Sequence, residues 1–102
     1  MYKLVKNDTA PRLNFTLTQN DTVIDLTGST VRFKFRKQGG STLFSRTCTI
    51  NSPATLGTCY YDWQSGDLVN TGVHLGEVEI TFPGGSVQTS KDFIKFDVRD
   101  EL

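Results

Sequence analysis

Apolar and polar residues alternate along much of the chain, with the period of a β-strand. Thr30 to Arg36 is the clearest case: Val31, Phe33 and Phe35 fall on one side and Arg32, Lys34 and Arg36 on the other, which predicts a half-buried strand. Arg12 to Gln19 repeats the pattern, with Leu13, Phe15 and Leu17 set against Asn14, Thr16 and Thr18. Phe93 to Arg99 does the same with Ile94, Phe96 and Val98 against Lys95, Asp97 and Arg99. Shorter extended segments are expected at Tyr2 to Lys6 and Val23 to Leu26. Thr42 to Ile50 reads as one strand or two with a break, and Thr58 to Trp63 as a returning strand.

The stretch from Tyr60 to Phe82 organises the rest. It carries the only Trp of the chain, a polar turn at Gln64 to Asp67, and the longest alternating strand, in which Val78, Ile80 and Phe82 share a side. Turn chemistry separates the strands at Asn7-Asp8, Asn20-Asp21, Gly28, Gln38 to Ser41, Asn51 to Gly57 and Pro83 to Ser86. About eight short strands at sandwich-like spacing, with no helical periodicity, imply an all-β fold. The economical arrangement is a two-sheet antiparallel β-sandwich, because an isolated sheet of this composition would leave one apolar face wet. A single domain over residues 1–102 is expected from the length. Its core anchors are Phe15, Phe33, Phe35, Trp63, Val78, Ile80, Phe82 and Phe96.

Charge narrows the partners. Eleven Lys and Arg balance eleven Asp and Glu, so no net field draws the chain to nucleic acid or anionic lipid. In the basic stripe Arg32, Lys34, Arg36 and Lys37, the interleaved Phe33 and Phe35 face the other way and form no stacking platform. No apolar run approaches the roughly 20 residues that span a bilayer, and residues 1–20 lack the central apolar block of a signal peptide. A soluble chain without an export signal is the expectation.

The chemistry of catalysis is thinly represented. His74 is the only histidine, and its alternation with Val78 suggests a polar-tipped ring near the rim of the core rather than a base. Glu77 and Glu79 stand on the outward side of their strand, where Arg32, Lys34 and Arg36 would pair with them if the two strands are neighbours. Asp62 and Asp67 could hold calcium, but no further oxygen-ligand rhythm supports it. Cys48 and Cys59 belong to no C-x-x-C pair. Neither a metal nor a cofactor is expected. Folding the segment about Pro53 and Ala54 sets the two cysteines opposite one another, so a cross-strand disulfide is geometrically open, although a chain without a secretion signal normally keeps its thiols reduced.

Several pieces in order carry a resemblance: Lys6 to Pro11, Ile24 to Phe33, Tyr61 to Asp67, Gly72, Gly76 to Phe82, and Gly84 to Thr89. Together they are similar to the tailed-phage family typified by the N-terminal domain of the baseplate upper protein, over nearly the whole chain. The resemblance implies an immunoglobulin-like β-sandwich that serves as a virion part holding other phage proteins in a tail, baseplate or fibre assembly. It also implies synthesis in the cytoplasm of a bacterial host. His74 falls where such sequences often carry a Tyr, and the two cysteines are no hallmark of the family. The chain ends where the family domain ends, so a stand-alone module is expected, either an adaptor of the tail or baseplate or a capsid decoration of the head-fibre type. Its binding surface would come from the loops Gln38 to Ser41 and Ser52 to Gly57 or from an unpaired sheet edge. A homo-oligomer fits the symmetry of phage assemblies. The competing reading is a carbohydrate-binding module for attachment to a host glycan, with Tyr60 as the sugar contact.

Overall fold

Strands β1 (Tyr2–Val5), β2 (Leu13–Thr16), β3 (Thr18–Gln19), β4 (Thr22–Val23) and β5 (Thr30–Lys37) come first in a computed structural model that describes residues 1–90 and 93–102. They are followed by β6 (Phe44–Thr47), β7 (Thr49–Ile50), β8 (Thr58–Tyr61), β9 (Gly72–Thr81), β10 (Val87–Thr89) and β11 (Ile94–Arg99). A 3-10 turn at Ala54–Leu56 is the one helical element among the described residues.

One sheet has the order β1-β11-β9-β5-β6, with β10 also on β9 beyond the end of β11. The second sheet is β2-β8-β7, and β3 with β4 makes a small hairpin sheet. Phe33 of the first sheet meets Phe15 and Tyr61 of the second at ring-centroid distances of 5.6 and 5.7 Å, so the two sheets face one another as a sandwich.

More strands appear than the eight or so that periodicity suggests, because two of the long ones are broken by a change of partner. The chain leaves the first sheet at Cys48, whose N–H makes a 2.8 Å bond to the Val31 carbonyl. Before it, β6 pairs with β5; after it, β7 pairs with β8. Leu17 is the other break. Its N–H donates to Gly57 of the β8 side, while its carbonyl accepts from Ile24, each at 2.8 Å, so β2 ends and the β3–β4 hairpin begins. That hairpin turns on Asn20 and Asp21, with φ of 51° and 63°, the left-handed pair required by a type I′ loop. One pairing is not antiparallel: β1 runs parallel to β11. A parallel pair needs a long crossover, and here almost the whole chain supplies it.

The strand periodicity translates directly into burial. In β5 the residues Val31, Phe33 and Phe35 are fully buried, and each side chain of that size removed from water contributes about 1.5–3 kcal/mol. Phe15, Val78, Ile80 and Phe96 join them in one cluster. Trp63 is buried too, although β8 stops at Tyr61 and leaves it in the following loop. Phe82 is different. It lies just past the end of β9 and is only half-buried, packed against the core from its rim, because there the chain is already turning through Pro83, Gly84 and Gly85. Gly85 takes φ 91°, which closes a three-residue hairpin loop with Phe82 bonded to Ser86.

Candidate functional site

The loop after β8 is held by a buried carboxylate. Asp67 is 1 % exposed. Its Oδ1 accepts from Arg46 Nε at 3.0 Å and Nη2 at 2.9 Å. Its Oδ2 accepts from the Gln64 N–H at 2.8 Å and from the Tyr61 hydroxyl. The hydrogen bond to Asp67 holds the Arg46 guanidinium more firmly protonated than usual, and burial followed by the bond to Asp67 pushes the Tyr61 hydroxyl up. With its lone pairs engaged in this way, Asp67 clamps the loop after β8 to Arg46 of β6. Arg46 lies opposite Phe33 in the ladder and therefore on the core side of an edge strand. Its phase with Phe44 in the sequence was the available signal, since an inward-facing arginine requires a buried anion.

Asp62 points elsewhere. Arg12 grips it through two bonds of 2.8 and 3.1 Å, and the Arg12 guanidinium sits 3.9 Å over the ring of Tyr60. Asp62 and Asp67 thus serve separate cations, and no group of three or more His, Cys, Asp or Glu able to hold a metal occurs among the described residues. Tyr60 is the outward member of its trio, with Tyr61 and Trp63 buried. No second ring stacks beside Tyr60 among the described residues, and one face of its ring is covered by Arg12.

His74 is a buried ring on β9, opposite Lys37 at the end of β5. It is 1 % exposed and stacked on Phe96, with ring centroids 4.8 Å apart and planes within 14°. The strand phase that buries Val78 and Ile80 continues back to it, and β5 and β11 flank it on both sides. Nδ1 lies 2.9 Å from the Gly72 carbonyl, so that nitrogen carries the proton and donates. Burial, with a smaller contribution from Lys37, keeps the ring's pKa below its ordinary value despite the Gly72 bond.

The cysteines are buried and free. Ile50, rather than Cys48, lies opposite Cys59, because the 3-10 turn moves the centre of the hairpin past Ala54. Hydrogen bonding to Cys59, and then burial, hold the Cys48 thiol above its usual range.

The outward basic stripe is matched by carboxylates. Arg32 and Lys34 lie opposite Glu79 and Glu77, and Lys34 Nζ reaches Glu79 at 2.7 Å. Of the two candidate loops, residues 38–41 are exposed. The loop over residues 52–57 is tied down instead: the Ala54 carbonyl accepts from Leu26, and Gly57 packs so closely that a Cβ there would lie 2.7 Å from the Ile24 carbonyl. A groove of about 390 Å³ runs between β2–β3 and the β9–β10 hairpin, lined by Leu17, Ile24, Ile80, Gln88 and Thr89 among others.

Residues 3–102 match the family model of the BppU N-terminal domain, the N-terminal domain of the baseplate upper protein. The chain belongs to this family. As a BppU N-terminal domain it is a phage baseplate structural domain, which places it in the virion among other virion proteins. No curated protein sequence matches it. No helix among the described residues of this BppU N-terminal domain is long and apolar enough to cross a membrane.

Proposed function

We propose that the chain acts as a non-enzymatic adaptor, one β-sandwich domain over residues 1–102, that docks within the tail or baseplate and holds neighbouring virion proteins in place. The family match over residues 3–102 carries this reading. The chemistry of the interior supports it. Asp67, Arg46 and Tyr61 satisfy one another, His74 bonds the backbone of Gly72, and the two thiols are buried in the core. These groups stabilise a scaffold and leave its surface to make contacts. Synthesis in the host cytoplasm, followed by assembly beside further copies of itself, completes the reading.

Purified virions separated into heads and tails and analysed by mass spectrometry test it. The chain is expected in the tail fraction. Recovery with the heads would replace the adaptor by a capsid decoration. Absence from both fractions, with abundant chain in infected-cell lysate, would overturn the structural role.

A further inference from the structure

Among the described residues, no strand pairs with the outer side of β10. The β9–β10 ladder is bonded at Phe82 N–H to Ser86 O and at Ser90 N–H to Val78 O, both 2.9 Å, with Gln88 opposite Ile80 between them. Bonded pairs alternate in an antiparallel ladder, so Val87 and Thr89 turn their N–H and C=O groups away from β9. No strand of the described residues pairs with that side. The same parity holds across the gap: Leu17 N–H is bonded to Gly57, so the backbone groups of Asn14 and Thr16 in β2 point away from β8.

Between these two edges lies the groove of about 390 Å³, and every residue lining it is uncharged. Leu17 and Ile24 at its base are half-buried against the core. Exposed strand edges are ordinarily guarded by lysine, proline or a bulge. β10 reads Val-Gln-Thr, with Val87 57 % exposed, and has neither lysine nor proline.

Resting on the adaptor reading above, we propose that this edge receives an extended, uncharged segment of another virion protein, which adds a strand to β10 and lays alternate apolar side chains over Leu17, Ile24 and Ile80. Outward backbone groups two residues apart match an extended chain. A charge buried against the neutral lining would go unpaired, which selects a neutral segment. A second copy of this chain fits less well. Its own open edges at β1 and β6 carry Lys3 and Arg46, its β2 edge is the other wall of this same groove, β7 at the far edge of that sheet has only two residues, and β10 paired to itself would bury only three residues a side, far short of a stable interface.

The test is the double variant Val87→Pro with Thr89→Pro in phage. Both N–H groups point away from β9, so proline spares the existing ladder while removing the donors that an incoming strand needs. Incorporation into virions is expected to fall roughly tenfold, as loss of two net hydrogen bonds implies, with the purified variant still melting cooperatively near the wild-type temperature. Gln88→Lys, which places a charge in the groove, should lower incorporation as well and decides the matter if the proline variant does not fold. Benzoylphenylalanine in place of Val87 should cross-link, in intact virions, to an uncharged segment of a different virion protein. Wild-type incorporation of the folded variants, or a cross-link to a second copy of this chain, would overturn the inference and leave the adaptor reading standing. Wild-type chain missing from virions would instead remove the adaptor reading.

Discussion

The ring edge of Phe33 comes within 2.6 Å of where a β-carbon on Gly76 would sit. The two residues lie on neighbouring strands, with Gly76 directly opposite Phe35 and Val78 opposite Phe33. Gly76 therefore leaves the space that the most connected ring of the core fills. Phe33 stacks on Phe35 and meets Phe15, Tyr61, Trp63 and Phe96 within 6.5 Å.

Gly76→Ala should destabilise the domain by about 1–3 kcal/mol, the usual cost of forcing an extra methyl into a packed core. Urea unfolding measures it. In the Gly76→Ala background, Phe33→Leu should cost less than it does alone, because the smaller side chain relieves the clash. Equal costs in the two backgrounds would show that the pair is not coupled.

Removing the Asp67 clamp should be the most damaging polar change. Asp67→Ala leaves Arg46 and the Tyr61 hydroxyl without their shared acceptor, and about 2–4 kcal/mol should be lost, somewhat less than for a fully buried pair because Arg46 is partly exposed. Tyr61→Phe deletes one bond and keeps the ring, at about 1–2 kcal/mol. Thermal melts that rank these two variants the other way would remove Asp67 from the centre of the network.

His74 makes stability depend on pH. Burial lowers its folded pKa below that of the unfolded chain, which is about 6.5. Just below that pH the unfolded state takes up a proton that the native state refuses, so the contribution is whole above about pH 6.5 and is lost as pH falls toward the folded pKa. Lys37 adds to the lowering, while the Gly72 bond and Asp97 oppose it. His74→Phe keeps a ring on Phe96 and abolishes the titration. Its melting temperature should therefore fall less than the wild type's between about pH 7 and 5. Identical slopes would assign the acid sensitivity to other groups.

Cys48 and Cys59 should resist thiol reagents in the native state and react fully once unfolded, since both are buried out of a reagent's reach. Titration with a chromogenic disulfide in denaturant, without reductant, should count two thiols per chain. A count of zero would show that they are joined.

Local geometry explains what could be read without coordinates. Successive side chains of a strand point to opposite faces, so Val31, Phe33 and Phe35 declare an inward side wherever the strand is placed. The turn at Asn20-Asp21 and the loop at Pro83 to Ser86 are legible for the same reason, because their backbone angles are set by the residues themselves. The order of the family's motifs was legible too, from Lys6 through Thr89. Nothing local distinguishes Trp63 as a strand residue from Trp63 as a buried loop residue, and burial by itself fits both.

The sequence alone thus determined an all-β chain, the inward faces of its long strands, most of its turns and its kinship. Only the tertiary structure decided which strands meet: β1 beside β11, a change of sheet at Cys48, Asp67 under Arg46, His74 on Phe96, and an edge at β10 that no strand of the described residues joins. Periodicity records how a residue faces its own strand, whereas partner and register follow from packing between segments up to ninety or so residues apart, a balance of many contacts that no short stretch encodes.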